Sequence, residues 1–291
     1  MSSVVFVGVG AIGLPMALRL SSAGHNVTGV DPLPAAQERA QAAGVNAVAR
    51  YADTAPCEVT VVMVANGEQL AALVDEALAS GVDGGRWVLM STVGPEAVRS
   101  QSARLEKAGV HVVDAPVTGG VARARTGDLT LFASGAPDDV DAVQDVLEPL
   151  GTLRRVGHDL GGGQAVKVVN QHLCSVHLAA AGEALALAEH LGLDAAQVLP
   201  LVESGAAGSW MLSDRGPRML QDTDVEVTST VGIFVKDSGL VESAARAARA
   251  DTPLLDAARQ RFLLAADAGL LGRDDSRVIE TFHAATPAGD Q

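Results

Sequence analysis

Val4-Val5-Phe6-Val7-Gly8-Val9-Gly10-Ala11-Ile12-Gly13 sets four apolar residues directly before three glycines in the order GxGxxG. A short valine-rich run of this kind reads as a strand covered on both faces, the usual state of a strand in a parallel sheet. The glycines open a helical pattern over 14–23, which Gly24 stops. A second apolar strand over 27–30 then ends in Asp31, 21 residues beyond Gly10. GxGxxG alone is a weak signal, but with a strand before it, a helix after it and an acid at the next strand's end it specifies a dinucleotide site. Gly8 permits the tight turn, Gly10 lets the main chain approach a pyrophosphate at the helix start beside Ala11 and Ile12, and Gly13 lets the helix pack on the sheet. Asp31 suits two ribose hydroxyls. A 2′-phosphate would set charge against that carboxylate, and Pro32-Leu33-Pro34 offers no arginine, so the expectation is NAD rather than NADP. The competing reading is of glycines that only turn a strand into a helix.

Working outward, helices over 34–43, 68–79 and 96–107 alternate with strands over 59–64, 87–90 and 110–113, a βαβ pattern throughout. In such a sheet the loops at strand carboxyl ends face the ligand crevice. Val64, Ala65 and Thr92 occupy those loops and are candidate cofactor contacts, although Ser91-Thr92 also reads as a helix cap. The strand over 110–113 runs into Asp114-Ala115-Pro116-Val117-Thr118-Gly119-Gly120. The Thr118 hydroxyl and the amides of Gly119 and Gly120 suit a carboxylate, though a plain turn has the same composition. Segments 129–134, 138–147 and 153–156 complete a Rossmann-type doubly wound α/β domain, placed at 1–160.

The second domain, 161–291, opens with a long interdomain helix over 161–191 and is all-helical, with runs at 195–203, 238–250 and 253–268. Val166, Val169, Leu173, Val176, Ala180, Ala184, Leu187 and Leu191 recur at spacings of three and four, one apolar face that is expected to be buried. Lys167, Asn170 and Gln171 share one side of its first turns, after glycines that let a ligand approach the backbone. Trp210 and Phe234 are candidate pocket walls, and Lys236-Asp237 reads as a charge pair at a helix start. The last residues, 287–291, are expected to fray.

The formal charge of −14 among 291 residues argues against nucleic acid or an anionic membrane as partner. Cys57 and Cys174 suit buried thiols better than a disulfide framework, and no histidine pair has metal-ligand spacing, so no metal is expected. Without a signal-like start or a membrane-length apolar run, the expected setting is the cytoplasm.

Taken together, these motifs resemble the β-hydroxyacid dehydrogenase family over nearly the whole chain. The resemblance rests on Gly8 to Ala17, Asp114 to Gly120, Gly161 to Asn170 and Lys236-Asp237. It implies that Lys167 is the catalytic acid/base, that Thr118, Gly119, Gly120, Asn170 and Gln171 hold a small hydroxy acid, and that Lys236 lies beside the cofactor. It further implies a homodimer or homotetramer. Burial of Lys167 would favour its neutral amine. Gln171, where the hydroxyisobutyrate branch tends to carry asparagine, and the stretch Ser209-Trp210-Met211-Leu212 look most like the L-threonate branch. The 3-hydroxyisobutyrate and tartronate semialdehyde branches are the alternatives. An imine reductase, a 6-phosphogluconate-type enzyme and a cofactor-binding protein without catalysis are remoter ones.

Overall fold

The computed structural model describes residues 1–221 and 225–283; the stretch 287–291 lies outside them. By internal contacts the chain divides into two compact units, Met1–Lys167 and Val168–Gln291.

In the first unit β1 (Ser3–Val7), α1 (Gly13–Ser22), β2 (Asn26–Val30), α2 (Pro34–Ala42) and β3 (Asn46–Val48) follow one another. Then come β4 (Val59–Val62), α3 (Gly67–Ala79), β5 (Arg86–Leu89), α4 (Pro95–Glu106) and β6 (His111–Asp114). Strands β1 to β6 are parallel in the order β3-β2-β1-β4-β5-β6. Alternate residues feed opposite cores: Val4 and Phe6 pack with Met16 and Leu20 of α1, while Val5 and Val7 pack with Leu70 and Val74 of α3. Apolar residues at every position of β1 are thus explained by helices on both faces.

The expected βαβ alternation stops at β6. Only Ala115 and Pro116 separate it from β7 (Val117–Thr118), too short a link for a parallel crossover. The chain continues through α5 (Gly120–Thr126) into β8 (Leu129–Ser134), which runs antiparallel to β6 and β7. The expected helix over 138–147 is two pieces, α6 (Pro137–Ala142) and α7 (Gln144–Leu147), parted at Val143, and β9 (Gly151–Gly157) closes the sheet parallel to β8.

The long helix α8 (Gly162–His190) begins in the first unit and continues in the second. α9 (Ala195–Glu203), α10 (Trp210–Met219), α11 (Val231–Ala248), α12 (Pro253–Asp267) and α13 (Glu280–His283) complete the helical unit. α10 is absent from the periodicity because Gly216 and Pro217 interrupt it. Ser209 caps its start, its Oγ accepting from Leu212 N at 3.1 Å, and a side chain at Gly216 would sit 2.8 Å from Leu199. α11 starts at Val231 under the Thr230 cap, well before the expected 238, so Lys236 and Asp237 are helix-interior residues.

The buried face of α8 is not the one the apolar spacing selects. Val169, Leu173, Leu187 and Leu191 are 48–67% exposed, whereas Gln164, Lys167, Gln171, Ser175, Leu178 and Leu185 are buried at the same three-and-four spacing. Counting apolar residues misses this line because its first half is polar. The two cysteines are half-buried rather than fully buried. Among the described residues no helix is long and apolar enough to cross a membrane.

Candidate active site

The glycine loop follows β1. Gly8 has φ +91°, and a Cβ there would lie 2.2 Å from Met63 O; one on Gly13 would lie 1.8 Å from Gly8 O. Both glycines are demanded by the protein itself. Gly10 differs, since a Cβ on it would meet nothing within 4 Å. α1 begins with no side-chain cap and no acidic residue in its first turn, which leaves its amino-terminal amides to an anion. Ala11 is exposed and Ile12 half-buried at that helix start. Asp31, 8% exposed, accepts from Leu33 N through Oδ1 at 3.0 Å, while Oδ2 accepts from no described neighbour. An open helix terminus, a glycine with space above it and a carboxylate with one oxygen to offer fit a nicotinamide dinucleotide.

The loops after β4 and β5 are tied together. Val64 N donates to Ser91 Oγ at 2.7 Å, and Ala65 N donates to Gln69 Oε1 at 2.9 Å. Both amides therefore have internal partners. Thr92 is half-buried beside the buried Ser91. After β6, Thr118 pairs with Thr130 in the two-residue strand β7, and Gly119 and Gly120 follow with φ +136° and +69° into α5.

The glycines before Lys167 serve packing rather than ligand approach. A Cβ on Gly163 would sit 2.2 Å from Phe132 O, and one on Gly162 would sit 3.1 Å from Ser134. Asp114, fully buried, receives the start of α8: its Oδ2 accepts from Gly161 N at 3.1 Å, Gln164 N at 3.0 Å and Ser134 Oγ at 3.2 Å. Burial pushes its pKa up, against the pull of these donors. Gln164, also fully buried, makes four side-chain hydrogen bonds, to Asp114 and to the main chain of Ser91, Val93 and Gly94. Neither residue stood out from sequence as functional; the available signal was the polar line Gln164, Lys167, Gln171, Ser175. Lys167 itself is 7% exposed.

In the helical unit, Asn170 Nδ2 donates to Gln171 Oε1 at 2.9 Å, and Gln171 Nε2 donates to Asp237 Oδ2 at 2.5 Å. Lys236 Nζ stands 2.9 Å from Asp237 Oδ1. Trp210 is half exposed, with the guanidinium of Arg215 5.4 Å from its ring centre. Arg215 is held in turn by Asp275. Phe234, by contrast, is 5% exposed and packs on Phe262 with ring centres 5.2 Å apart, so the structure places it in the core of this unit.

A doubly wound sheet with this glycine loop, in a unit that ends on a buried lysine and is followed by a helical unit, is the architecture of a nicotinamide-dependent dehydrogenase. The family profile for the NAD-binding domain of 6-phosphogluconate dehydrogenase matches residues 3–168, and that for the NAD-binding of NADP-dependent 3-hydroxyisobutyrate dehydrogenase matches 161–282. An L-threonate dehydrogenase of Cupriavidus necator is 38% identical over 281 residues, covering 95% of this chain and 94% of that protein. A 3-hydroxyisobutyrate dehydrogenase from Salmonella typhimurium superposes with a TM-score of 0.88 at 33% identity, covering 96% of this chain and 99% of the other. The corresponding Mycobacterium tuberculosis enzyme gives 0.85 at 30% identity, covering 98% and 100%. The chain belongs to the 3-hydroxyisobutyrate dehydrogenase-like family of NAD-dependent hydroxyacid dehydrogenases.

Proposed function

We propose that the protein oxidises the hydroxyl of a short hydroxy acid of the L-threonate kind, with NAD preferred over NADP and Lys167 as the proton acceptor. The observation that carries this reading is Lys167, 7% exposed and following directly on a helix start anchored by Gln164 and Asp114. The nicotinamide, when bound, supplies the hydride acceptor. As the carbinol carbon loses its hydride, the hydroxyl proton passes to Lys167 Nζ and a carbonyl remains. Shielded from bulk water, that amine exchanges its proton with substrate rather than with solvent.

Gly8, Gly10, Ala11, Ile12 and Gly13 hold the pyrophosphate in this reading and Asp31 the adenosine ribose, with Val64, Ala65, Thr92 and Lys236 along the remainder of the cofactor. Thr118, Gly119 and Gly120 take the substrate carboxylate, Asn170 and Gln171 face its hydroxyls, and Trp210 borders it. Phe234 acts only by setting the position of α11. The exposed apolar line of Val169, Leu173, Leu187 and Leu191 suits pairing with a second copy, as a homodimer or homotetramer.

The test is NAD reduction with L-threonate, D-glycerate and 3-hydroxyisobutyrate in parallel. L-threonate should react fastest, and Lys167→Ala should lower kcat by ~10³-fold or more while NAD still binds. Substantial turnover by the alanine variant would move the proton transfer to another group. Fastest turnover of 3-hydroxyisobutyrate, the substrate in the name of the Salmonella protein, would move the substrate assignment to that branch.

A further inference from the structure

Asn170, Gln171 and Asp237 form a hydrogen-bonded line whose polarity is set from one end. Asp237 is 4% exposed, and Lys236 Nζ lies within ion-pair distance of its Oδ1, although off line for a hydrogen bond. A carboxylate beside an ammonium only accepts. Gln171 must therefore turn its NH2 toward Asp237, as it does, which points its carbonyl the other way. That carbonyl can only be met by a donor, so Asn170 turns its own NH2 toward it. Nδ2 of Asn170 also lies 3.5 Å from Cys174 Sγ, which engages its second hydrogen. What Asn170 has left to offer is Oδ1, which accepts from no neighbour among the described residues.

We infer that Asp237, acting through Gln171, is a positioning residue that fixes Asn170 as a hydrogen-bond acceptor toward the substrate, and that the favoured acid carries a second hydroxyl to donate to it. This rests on the proposed function and supplies the contact by which a polyhydroxy acid is favoured over one with a single hydroxyl. A methyl group opposite Oδ1 would leave that oxygen without a donor, and a carbonyl would set lone pairs against lone pairs. Gln171 then matters for how it holds Asn170 as well as for facing the substrate hydroxyls.

Exchanging Asp237 for asparagine reverses the line. Lys236 claims the new carbonyl oxygen, and the new NH2 faces Gln171. Gln171 turns its carbonyl to that NH2 and its own NH2 to Asn170, which then presents NH2 outward. Fluorine matches a hydroxyl closely in size but cannot donate, so it reports which end of Asn170 faces the ligand. The experiment measures affinities of NADH-loaded enzyme by calorimetry for L-threonate and for its two analogues with one non-reacting hydroxyl replaced by fluorine. For the parent enzyme, one fluoro analogue should bind ~10–100-fold more weakly than L-threonate. In Asp237→Asn that penalty should shrink to within ~3-fold, and in an Asn170→Ala background the Asp237 exchange should leave the ratio unchanged. Lost stability alone weakens all three ligands alike and does not move the ratio; thermal midpoints of each variant are recorded alongside.

A parent ratio near one overturns the inference, as does a ratio that Asp237→Asn leaves intact or still shifts when Asn170 is absent. NAD reduction in the absence of any fluoro penalty keeps the proposed function and removes the inference. The penalty without NAD reduction does the reverse. An enzyme that binds none of the three acids overturns both.

Discussion

Gln164 and Asp114 are joined twice, main-chain N to Oδ2 and side-chain Nε2 to Oδ1, each at 3.0 Å. Both residues are fully buried, so every group that meets the Gln164 amide depends on it. Gln164→Ala strands the amides of Val93 and Gly94, the carbonyl of Ser91 and one oxygen of Asp114. We expect a loss of roughly 3 kcal/mol, seen as a lower urea midpoint at unchanged slope. In Gln164→Glu a second carboxylate faces Asp114, whose pKa burial already raises. A raised folded-state pKa means that the fold binds the proton more tightly than the unfolded chain does. That variant should therefore gain stability as pH falls from about 7 toward 5, and a flat profile would contradict the account.

Gly10 and Gly13 should part company on substitution. Gly13→Ala forces a Cβ to within 1.8 Å of Gly8 O and should cost ~3 kcal/mol or more. Gly10→Ala meets no protein atom, so its thermal midpoint should stay close to the parent value. Its affinity for NAD should nonetheless fall ~10-fold or more, because in the proposed site the main chain there borders the ligand. Equal destabilisation by both exchanges would place the reason for Gly10 inside the protein.

Asp31 should govern the choice between NAD and NADP. In the proposed site, removing its carboxylate in Asp31→Ala deletes an acceptor for ribose hydroxyls and a repulsion against a 2′-phosphate. The ratio of the two dissociation constants should move toward NADP by ~10–100-fold, most strongly at low ionic strength. Fluorescence titration with both reduced cofactors reads this directly, and an unchanged ratio would assign the selection to another residue.

Asp274 offers a test of the helical unit in acid. Burial opposes its ionisation, but hydrogen bonds from Ser276 and Thr228 and the charge of Arg218 outweigh it, and the pKa lies below the usual 3.8. A folded-state pKa below the unfolded one gives stability that is complete above about pH 4 and is lost as pH falls through the lower value. Asp274→Asn should thus melt below the parent at neutral pH, with the gap narrowing at pH about 3 and below. A gap independent of pH would show that shape, not charge, holds the site.

The first half of the fold was legible because its signals are local. Four apolar residues, a glycine spacing and a terminal acid lie within one βαβ unit, and the strands and helices fall within a few residues of their expected bounds. Antiparallel β8 was not legible, because the link between β6 and β7 is a matter of two residues that carry no periodicity. The span of α8 was read correctly and its buried side was not. Gln164, Lys167 and Gln171 lie on the inner face, and a count of apolar spacing discards such residues. The anchors of Lys167 were hidden for a related reason: Asp114 and Gln164 are separated by 50 residues and meet only once the sheet has formed.

Three of the four groups around the Gln164 side chain are main-chain atoms of a single loop. Through Gln164 the start of α8 is fastened to the path of that loop and not to its side chains. Exchanging the side chain of Thr92, half-buried between Ser91 and Val93, leaves those three main-chain bonds in place. Divergence can therefore vary the side chains of that loop while the lysine's mooring passes unaltered from one descendant to the next.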